Sequence, residues 1–239
     1  MKKTRLVIIS DTHSQWAAIP NDFIPPGDVL IHCGDHTMGG HSKDMKKALN
    51  QLALFKDQFE NIILIAGNHD RLAQHDPDRM RRYVESRGLI YLHHEALELN
   101  GIKYFGSPWQ PWFLDWAFNL DRAELYEKWA DIPDDTDVLI THAPSLGQGD
   151  KVLRGSQPNV GDEALWDRVL EVRPKLHVFG HIHEAYGVYR TEFNPDTVFV
   201  NASSCDFNYK VTQKPVVVDL TEDGKVTIVN EEEVKNIYD

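Results

Sequence analysis

Cysteine is scarce in this chain: Cys33 and Cys205 are the only two in 239 residues, and they form no C-x-x-C pair. A disulfide framework and a thiolate zinc site are thereby excluded, and a reducing compartment, the cytoplasm, is expected. Long apolar runs are also missing. The N-terminal MKKTRLVIISDTHS holds an apolar stretch only from Leu6 to Ile9, too short for a signal peptide, and no later stretch approaches the ~20 apolar residues of a membrane span. Positive charge is in short supply, with 25 Lys and Arg against 37 Asp and Glu, a formal net charge of −12. Such a field repels polyanions and argues against binding long nucleic acid, although it leaves room for a local positive site made by bound metal. No low-complexity segment, solenoid repeat or Gly/Ser/Pro-rich linker divides the chain, so one domain over residues 1–239 is expected.

What is present is a set of short runs rich in Val, Ile and Leu: Arg5–Ile9, Asp28–Cys33, Asn61–Ala66, Asp137–Thr141 and Lys175–Phe179. They are nearly continuous rather than alternating, which reads as strands buried on both faces. Between them, Ser42–Phe59, Pro77–Arg87, Asp121–Trp129 and Asp162–Val172 carry helical spacing. Ser42 is the expected cap of the first, and Asp76 with Pro77 starts the second. Alternation of this kind implies βαβ units. Tyr91–Phe105 and Tyr186–Val229 read instead as shorter strands with hairpin turns at Asn100-Gly101 and Asp223-Gly224. The composite is an α/β domain with mixed sheets.

All five buried runs end alike. They lead to Asp11-Thr12-His13, Gly34-Asp35-His36, Gly67-Asn68-His69-Asp70, His142, and Gly180-His181-Ile182-His183. Ligands of open α/β sheets bind outside the carboxyl ends of the strands, so these polar groups are expected to meet in one cleft. A rim that merely faced water would show Lys, Glu and Ser as often as His and Asn. Carboxylate, imidazole and amide oxygen together suit Mn²⁺, Fe²⁺, Co²⁺ or Zn²⁺. Two acids, one Asn and four His are too many for one ion and suit two ions sharing a carboxylate, the arrangement that clamps attacking and leaving oxygens in phosphoryl transfer. Two divalent ions less Asp11, Asp35 and a bridging hydroxide leave about +1 to meet an anionic phosphate ester, a local reversal of the global field.

The ordered set D-x-H, G-D, G-N-H-D, H and G-H-x-H, spanning residues 5 to about 184, resembles the calcineurin-like metallophosphoesterase superfamily. The resemblance implies a four-layer α/β/β/α sandwich of two mixed sheets. It implies a first metal held by Asp11, His13, Asp35 and His183, and a second held by Asp35, Asn68, His142 and His181, with Asp35 bridging. His69 is then the catalytic histidine rather than a ligand. Protein phosphatases of this superfamily carry G-D-x-V-D-R-G where this chain reads Gly34-Asp35-His36-Thr37-Met38-Gly39-Gly40. Purple acid phosphatases place a Tyr where Met38 stands. The segments Gly106-Ser107-Pro108-Trp109-Gln110-Pro111, Trp116-Ala117-Phe118-Asn119 and Asn201-Ala202-Ser203-Ser204-Cys205 are similar instead to the small metallophosphoesterase-domain-containing phosphodiesterases. The implied activity is hydrolysis of a small phosphodiester, a cyclic nucleotide or similar, by a metal-bridging hydroxide, with Mn²⁺ the expected metal. A phosphomonoesterase and a non-catalytic metal-binding scaffold are the alternatives.

Several residues are read more openly. Asp70 is expected either to orient His69 or to cap the following turn. Substrate contact is expected of Asn68 and His69, of Trp109 in the aromatic loop Trp109–Phe118, whose other reading is a packed lid over the sheet, and of His36, whose other reading is a histidine satisfied behind the ligands. Arg71, Lys151 and Arg154 are the basic residues nearest the motif loops, and Asn208 and Tyr209 are candidate rim residues.

Overall fold

The computed structural model describes residues 2–20, 22–153, 159–232 and 234; Arg154 lies outside them. In chain order the strands are β1 Lys3–Ile9, β2 Val29–His32, β3 Asn61–Leu64, β4 Ile90–Tyr91, β5 Glu95–Leu99, β6 Ile102–Ser107, β7 Gln110–Pro111, β8 Asn119–Leu120, β9 Val138–Thr141, β10 Leu176–Phe179, β11 Gly187–Tyr189, β12 Val198–Asn201, β13 Val216–Thr221 and β14 Val226–Ile228. The helices are α1 Ser42–Ala53, α2 Arg71–His75, α3 Pro77–Glu85, α4 Arg122–Trp129 and α5 Glu163–Val172. One sheet runs β14-β13-β1-β2-β3-β4 and the second β11-β12-β10-β9-β6-β5. Both are mixed: β1 to β4 are parallel neighbours with β13 antiparallel to β1, while β6, β9, β10 and β12 are parallel with hairpin partners at each edge.

Strand side chains point alternately to opposite faces, and that alternation sorts the apolar runs into layers. Leu6, Ile8, Val29, Ile31 and Ile63 of the first sheet pack with Val138, Ile140, Leu176, Val178 and Val200 of the second, forming the core between the sheets. The intervening residues Val7, Ile9, Leu30, Ile62 and Leu64 face outward onto Met45, Leu49 and Leu52 of α1 and Met80 and Val84 of α3. On the far side, Phe105, Leu139 and Phe199 meet Leu125 and Trp129 of α4 and Leu165 and Val169 of α5. The result is the expected four-layer sandwich, and near-continuous apolar runs are what a strand covered on both faces requires.

Local details both follow and correct the sequence reading. Asp76 accepts from the Arg79 amide (3.1 Å) at the Pro77 helix start, and Asp121 and Glu124 make a capping box for α4. The first helix is shorter than its periodicity suggests: α1 stops at Ala53 and tightens into a 3-10 turn over Leu54–Asp57. Its cap position is His41 rather than Ser42, because the Ser42 hydroxyl pairs with the Tyr83 hydroxyl (3.1 Å). The Asn100-Gly101 turn has both residues at positive φ, 52° and 78°, and joins β5 to β6. The segment Tyr186–Val229 is divided between the two sheets, β11 and β12 joining the second, β13 and β14 the first. No helix among the described residues is long and apolar enough to cross a membrane.

Candidate metal centre and cleft

The carboxyl ends of β1, β2, β3, β9 and β10 converge, and the loops leaving them adopt conformations that ordinary residues avoid. Asp11, His13, Asp35 and His181 all have positive φ (51°, 42°, 56° and 69°). Left-handed backbone at non-glycine residues costs free energy and clusters where geometry serves function. Two glycines make the convergence possible. A Cβ on Gly180 would lie 2.0 Å from Asp11 Oδ2, and one on Gly67 2.3 Å from Asp35 Oδ1.

Asp11, His13, Asp35, Asn68, His142, His181 and His183 come together at the base of the cleft. His183 Nε2 lies 3.4 Å from Asp11 Oδ1 and 3.1 Å from His13 Nε2. Asn68 Oδ1 lies 2.8 Å from His142 Nε2 and 2.9 Å from His181 Nδ1. Between these sets stands one oxygen, Asp35 Oδ2, 3.7 Å from His13 Nε2 and 3.5 Å from His142 Nε2. The other oxygen of Asp35 accepts the His69 backbone N–H (2.8 Å) and so fixes the carboxylate's rotation.

The ring protons decide what these atoms are for. Nδ1 of His13, His142 and His183 faces the carbonyl of Thr37, Cys33 and Asp206, at 3.3, 2.9 and 3.0 Å. A carbonyl only accepts, so each neutral ring carries its proton on Nδ1 and presents a bare lone pair at Nε2. With both rings neutral, the lone pairs of His13 and His183 would face each other at 3.1 Å, a repulsion that a proton or a cation between them relieves. The neutral His142 ring would meet the oxygen of Asn68 in the same way, a repulsion that a proton or a cation at Nε2 relieves. Atoms each bound ~2.0–2.2 Å from one ion stand ~3–3.5 Å apart, and the separations given within the two sets bracket that range, from 2.8 Å for Asn68 and His142 to 3.8 Å for Asp11 and His13. The donor chemistry therefore fits two divalent cations.

Electrostatics divide the four rings into two pairs. Burial outweighs the neighbouring carboxylates at His13, pushing it down to about 4, and burial with the nearby His142 brings His181 to about 3. Both rings are neutral donors at pH 7. Burial also opposes charge on His142, but Asp35, Asp11 and the Cys33 carbonyl outweigh it and hold the ring up at about 9, so the metal-free site keeps a proton there that a bound cation would displace. His183 is raised by Asp11 in the same manner. Asp11 and Asp35 resist the upward pull of burial and stay ionised well below the usual carboxylate range, held there by the surrounding imidazoles.

Above this base opens a cleft of about 520 Å³, walled by Trp112, Phe113, Val160, Phe207 and Tyr209, with His13, Asp35, Asn68, His69, His181 and His183 on its floor. His69 is set apart from its neighbour Asn68. Its Nδ1 donates to the Met38 carbonyl (2.8 Å), leaving Nε2 directed at Asp35 Oδ2 (4.0 Å). Trp116 stacks on the ring at 3.9 Å between centroids.

Asp70 departs from both of its readings, whereas His36 and Trp109 are packed behind the site instead of touching substrate. Asp70 neither orients the His69 ring nor caps α2 with its side chain. Its carboxylate accepts from the backbone N–H groups of His36, Thr37 and Gly67 and from the Thr37 hydroxyl, tying two motif loops together. His36 does not reach substrate: it is fully buried, bonded to the Ile65 carbonyl (2.8 Å) and packed at a tilt against His32. Trp109 packs edge-on against Phe118 in the core rather than facing the cleft, and Trp112 and Phe113 take that place at 72% and 46% exposure. Arg71 is engaged with the Asp115 carbonyl and the Trp116 ring, and exposed Lys151 is not among the cleft's walls. Tyr209 does line the cleft, its ring edge-on to His13 at 4.9 Å.

Two contributors were not foreseen as site residues. Trp116 lies in a segment quoted for resemblance, yet nothing in its spacing indicates a stack on His69. Ser203 donates its hydroxyl proton to Asp11 Oδ2 (3.0 Å) across 192 positions of sequence, a distance no local pattern spans.

A strand-end centre of this composition, set in a two-sheet sandwich, defines a metallophosphoesterase. The profile of the calcineurin-like phosphoesterase family matches residues 4–185, and the chain belongs to that family. Human metallophosphoesterase domain-containing protein 1 is 40% identical over 240 residues, covering 91% of this chain and 71% of that protein. A UPF0046 protein of Caenorhabditis elegans is 34% identical over 226 residues, covering 89% and 74%. The crystal structure of TT1561 from Thermus thermophilus superposes with a TM-score of 0.62 over 96% of this chain and 99% of that one, at 10% identity, a likeness of fold. Metal-dependent hydrolysis of phosphoric esters with a dinuclear centre is the chemistry of the family.

Proposed function

We propose that this enzyme is a phosphodiesterase acting on a small diester with a flat or apolar substituent, a cyclic nucleotide or a similar compound, with Mn²⁺ as its metal. Asp11, His13, Asp35 and His183 would hold one ion and Asp35, Asn68, His142 and His181 the other. The observation that carries the proposal is the single oxygen Asp35 Oδ2 facing both donor sets, directly beneath a cleft walled by Trp112, Phe113 and Tyr209. When bound, two divalent ions supply Lewis acidity toward phosphoryl oxygens and lower the pKa of water. The rest falls to the protein. Asp35 holds the two sets at a common point, and His69, with Nδ1 fixed on Met38, exchanges a proton with the leaving oxygen at Nε2. The aromatic walls take the diester's second substituent by stacking. The two free, buried cysteines and the acidic surface charge suit a cytoplasmic enzyme of small molecules rather than of membranes or long nucleic acid.

Turnover of cyclic nucleotides, dinucleotides and nucleoside monophosphates with Mn²⁺, measured side by side, tests the substrate class. Diesters are expected to show the higher kcat/KM. A monophosphate hydrolysed with a tenfold higher kcat/KM than every diester tested would make the enzyme a phosphomonoesterase.

A further inference from the structure

The end of β12 runs on through Ala202 to Ser203, where it bridges to Ser10 at the end of β1, and the Ser204 N–H donates to the Ser10 carbonyl (2.8 Å). Here the second sheet touches the first, one residue from Asp11. Asn201 anchors the junction: its Nδ2 reaches the carbonyls of Gly149, Gly180 and Ile182 at 3.2, 3.4 and 2.9 Å. Three acceptors on one side fix the amide's orientation, so Oδ1 points to Ser203 and accepts its backbone N–H (3.1 Å). The Ser203 hydroxyl has one proton and two acceptors in reach, Asn201 Oδ1 at 2.9 Å and Asp11 Oδ2 at 3.0 Å. The ionised acceptor makes the stronger bond, and Asn201 Oδ1 already has a donor, so the proton goes to Asp11.

We propose that Ser203 is a positioning residue that decides which oxygen of Asp11 faces the metal; the proposal rests on the reading of Asp11 as a ligand of the first ion. Oδ2 receives the Ser203 hydroxyl and the shorter of two contacts from the His181 N–H (3.0 Å, against 3.2 Å to Oδ1). Oδ1 is left toward His183 Nε2 (3.4 Å) and His13 Nε2 (3.8 Å). Without the hydroxyl, Oδ2 loses its side-chain donor and only the His181 N–H remains, which reaches both oxygens and so selects between them weakly. Ser203 is fully buried, so no water replaces the lost donor from the surface. Asp35, held by His69, does not share this bond, and the second set meets Asp11 through the His181 backbone N–H rather than through its ligand atom Nδ1.

The test is titration of chelator-stripped full-length protein with Mn²⁺ by calorimetry, comparing wild type with Ser203→Ala and Asp11→Asn. Ser203→Ala is expected to bind the first ion about 10–100-fold more weakly, the usual effect of removing a partner that orients a ligand. The second ion should bind as in wild type, and kcat should recover at high Mn²⁺. Ser203→Cys keeps the volume with a weak donor, and is expected to behave like Ala in binding if the Ala variant does not fold. Unchanged binding of both ions to a folded Ser203 variant, with Asp11→Asn losing one, overturns the proposal alone. Unchanged binding by Asp11→Asn as well overturns the ligand reading and the proposal with it.

Discussion

Replacing Asp35 with Ala or Asn is expected to remove both ions and turnover together. The side chain offers one oxygen to both donor sets, 3.7 Å from His13 Nε2 and 3.5 Å from His142 Nε2, so neither set is complete without it. Metal centres supply several kcal/mol of transition-state stabilisation, and kcat is expected to fall by on the order of 10³-fold or more. Asp35→Asn is the sharper variant, because its amide oxygen can still accept the His69 N–H while the charge is gone. That charge also opposes the effect of burial on His142 and holds its pKa at about 9, so the ring's proton in metal-free protein should be lost at lower pH in this variant. His13→Ala, by contrast, is expected to weaken mainly the first ion. Metal content by elemental analysis and kcat on one diester check all three variants. An Asp35→Asn protein that keeps both ions would show that the carboxylate is not shared.

His69→Ala is expected to keep both ions and the fold while kcat falls by about 10²–10⁴-fold, the usual effect of deleting a general acid. The basis is the division between neighbours: Asn68 Oδ1 points into the His142–His181 set, whereas His69 is pinned by the Met38 carbonyl and the Trp116 face with Nε2 toward the cleft. The loss should be smaller for nitrophenyl esters, whose leaving group needs no proton. His69 Nε2 also lies near His13 and Asp35, close enough for a ligand role to be a real competitor. Loss of a metal would make His69 a ligand, and equal loss on activated and unactivated esters with both ions kept would make it an electrostatic group; either result removes the acid.

The four layers and the position of the cleft were legible because they depend on features that local sequence carries. Runs such as Arg5–Ile9 declare a strand buried on both faces, and the polar residue after each run must then sit at a strand end. What was not legible depends on contacts between distant segments. His36 follows Asp35 directly, yet the buried Ile65 carbonyl draws its ring behind the site. Asp70 looks like a partner for His69, but three backbone N–H groups and a hydroxyl from two loops take its carboxylate instead. The aromatic loop gave no sign of which ring faces the cleft: Trp109 is turned inward by Phe118, and Trp116 by His69. Ser203 reaches Asp11 only because β12 ends beside β1, a pairing set by the meeting of two sheets.

The claim on which the rest depends is that seven side chains from five strand ends form two metal sites sharing one carboxylate. Elemental analysis of the folded protein, equilibrated with saturating Mn²⁺ and freed of unbound metal, tests it most directly. The account predicts two ions per chain, falling to fewer than one in Asp35→Ala. One ion or fewer in the folded wild-type protein would contradict it.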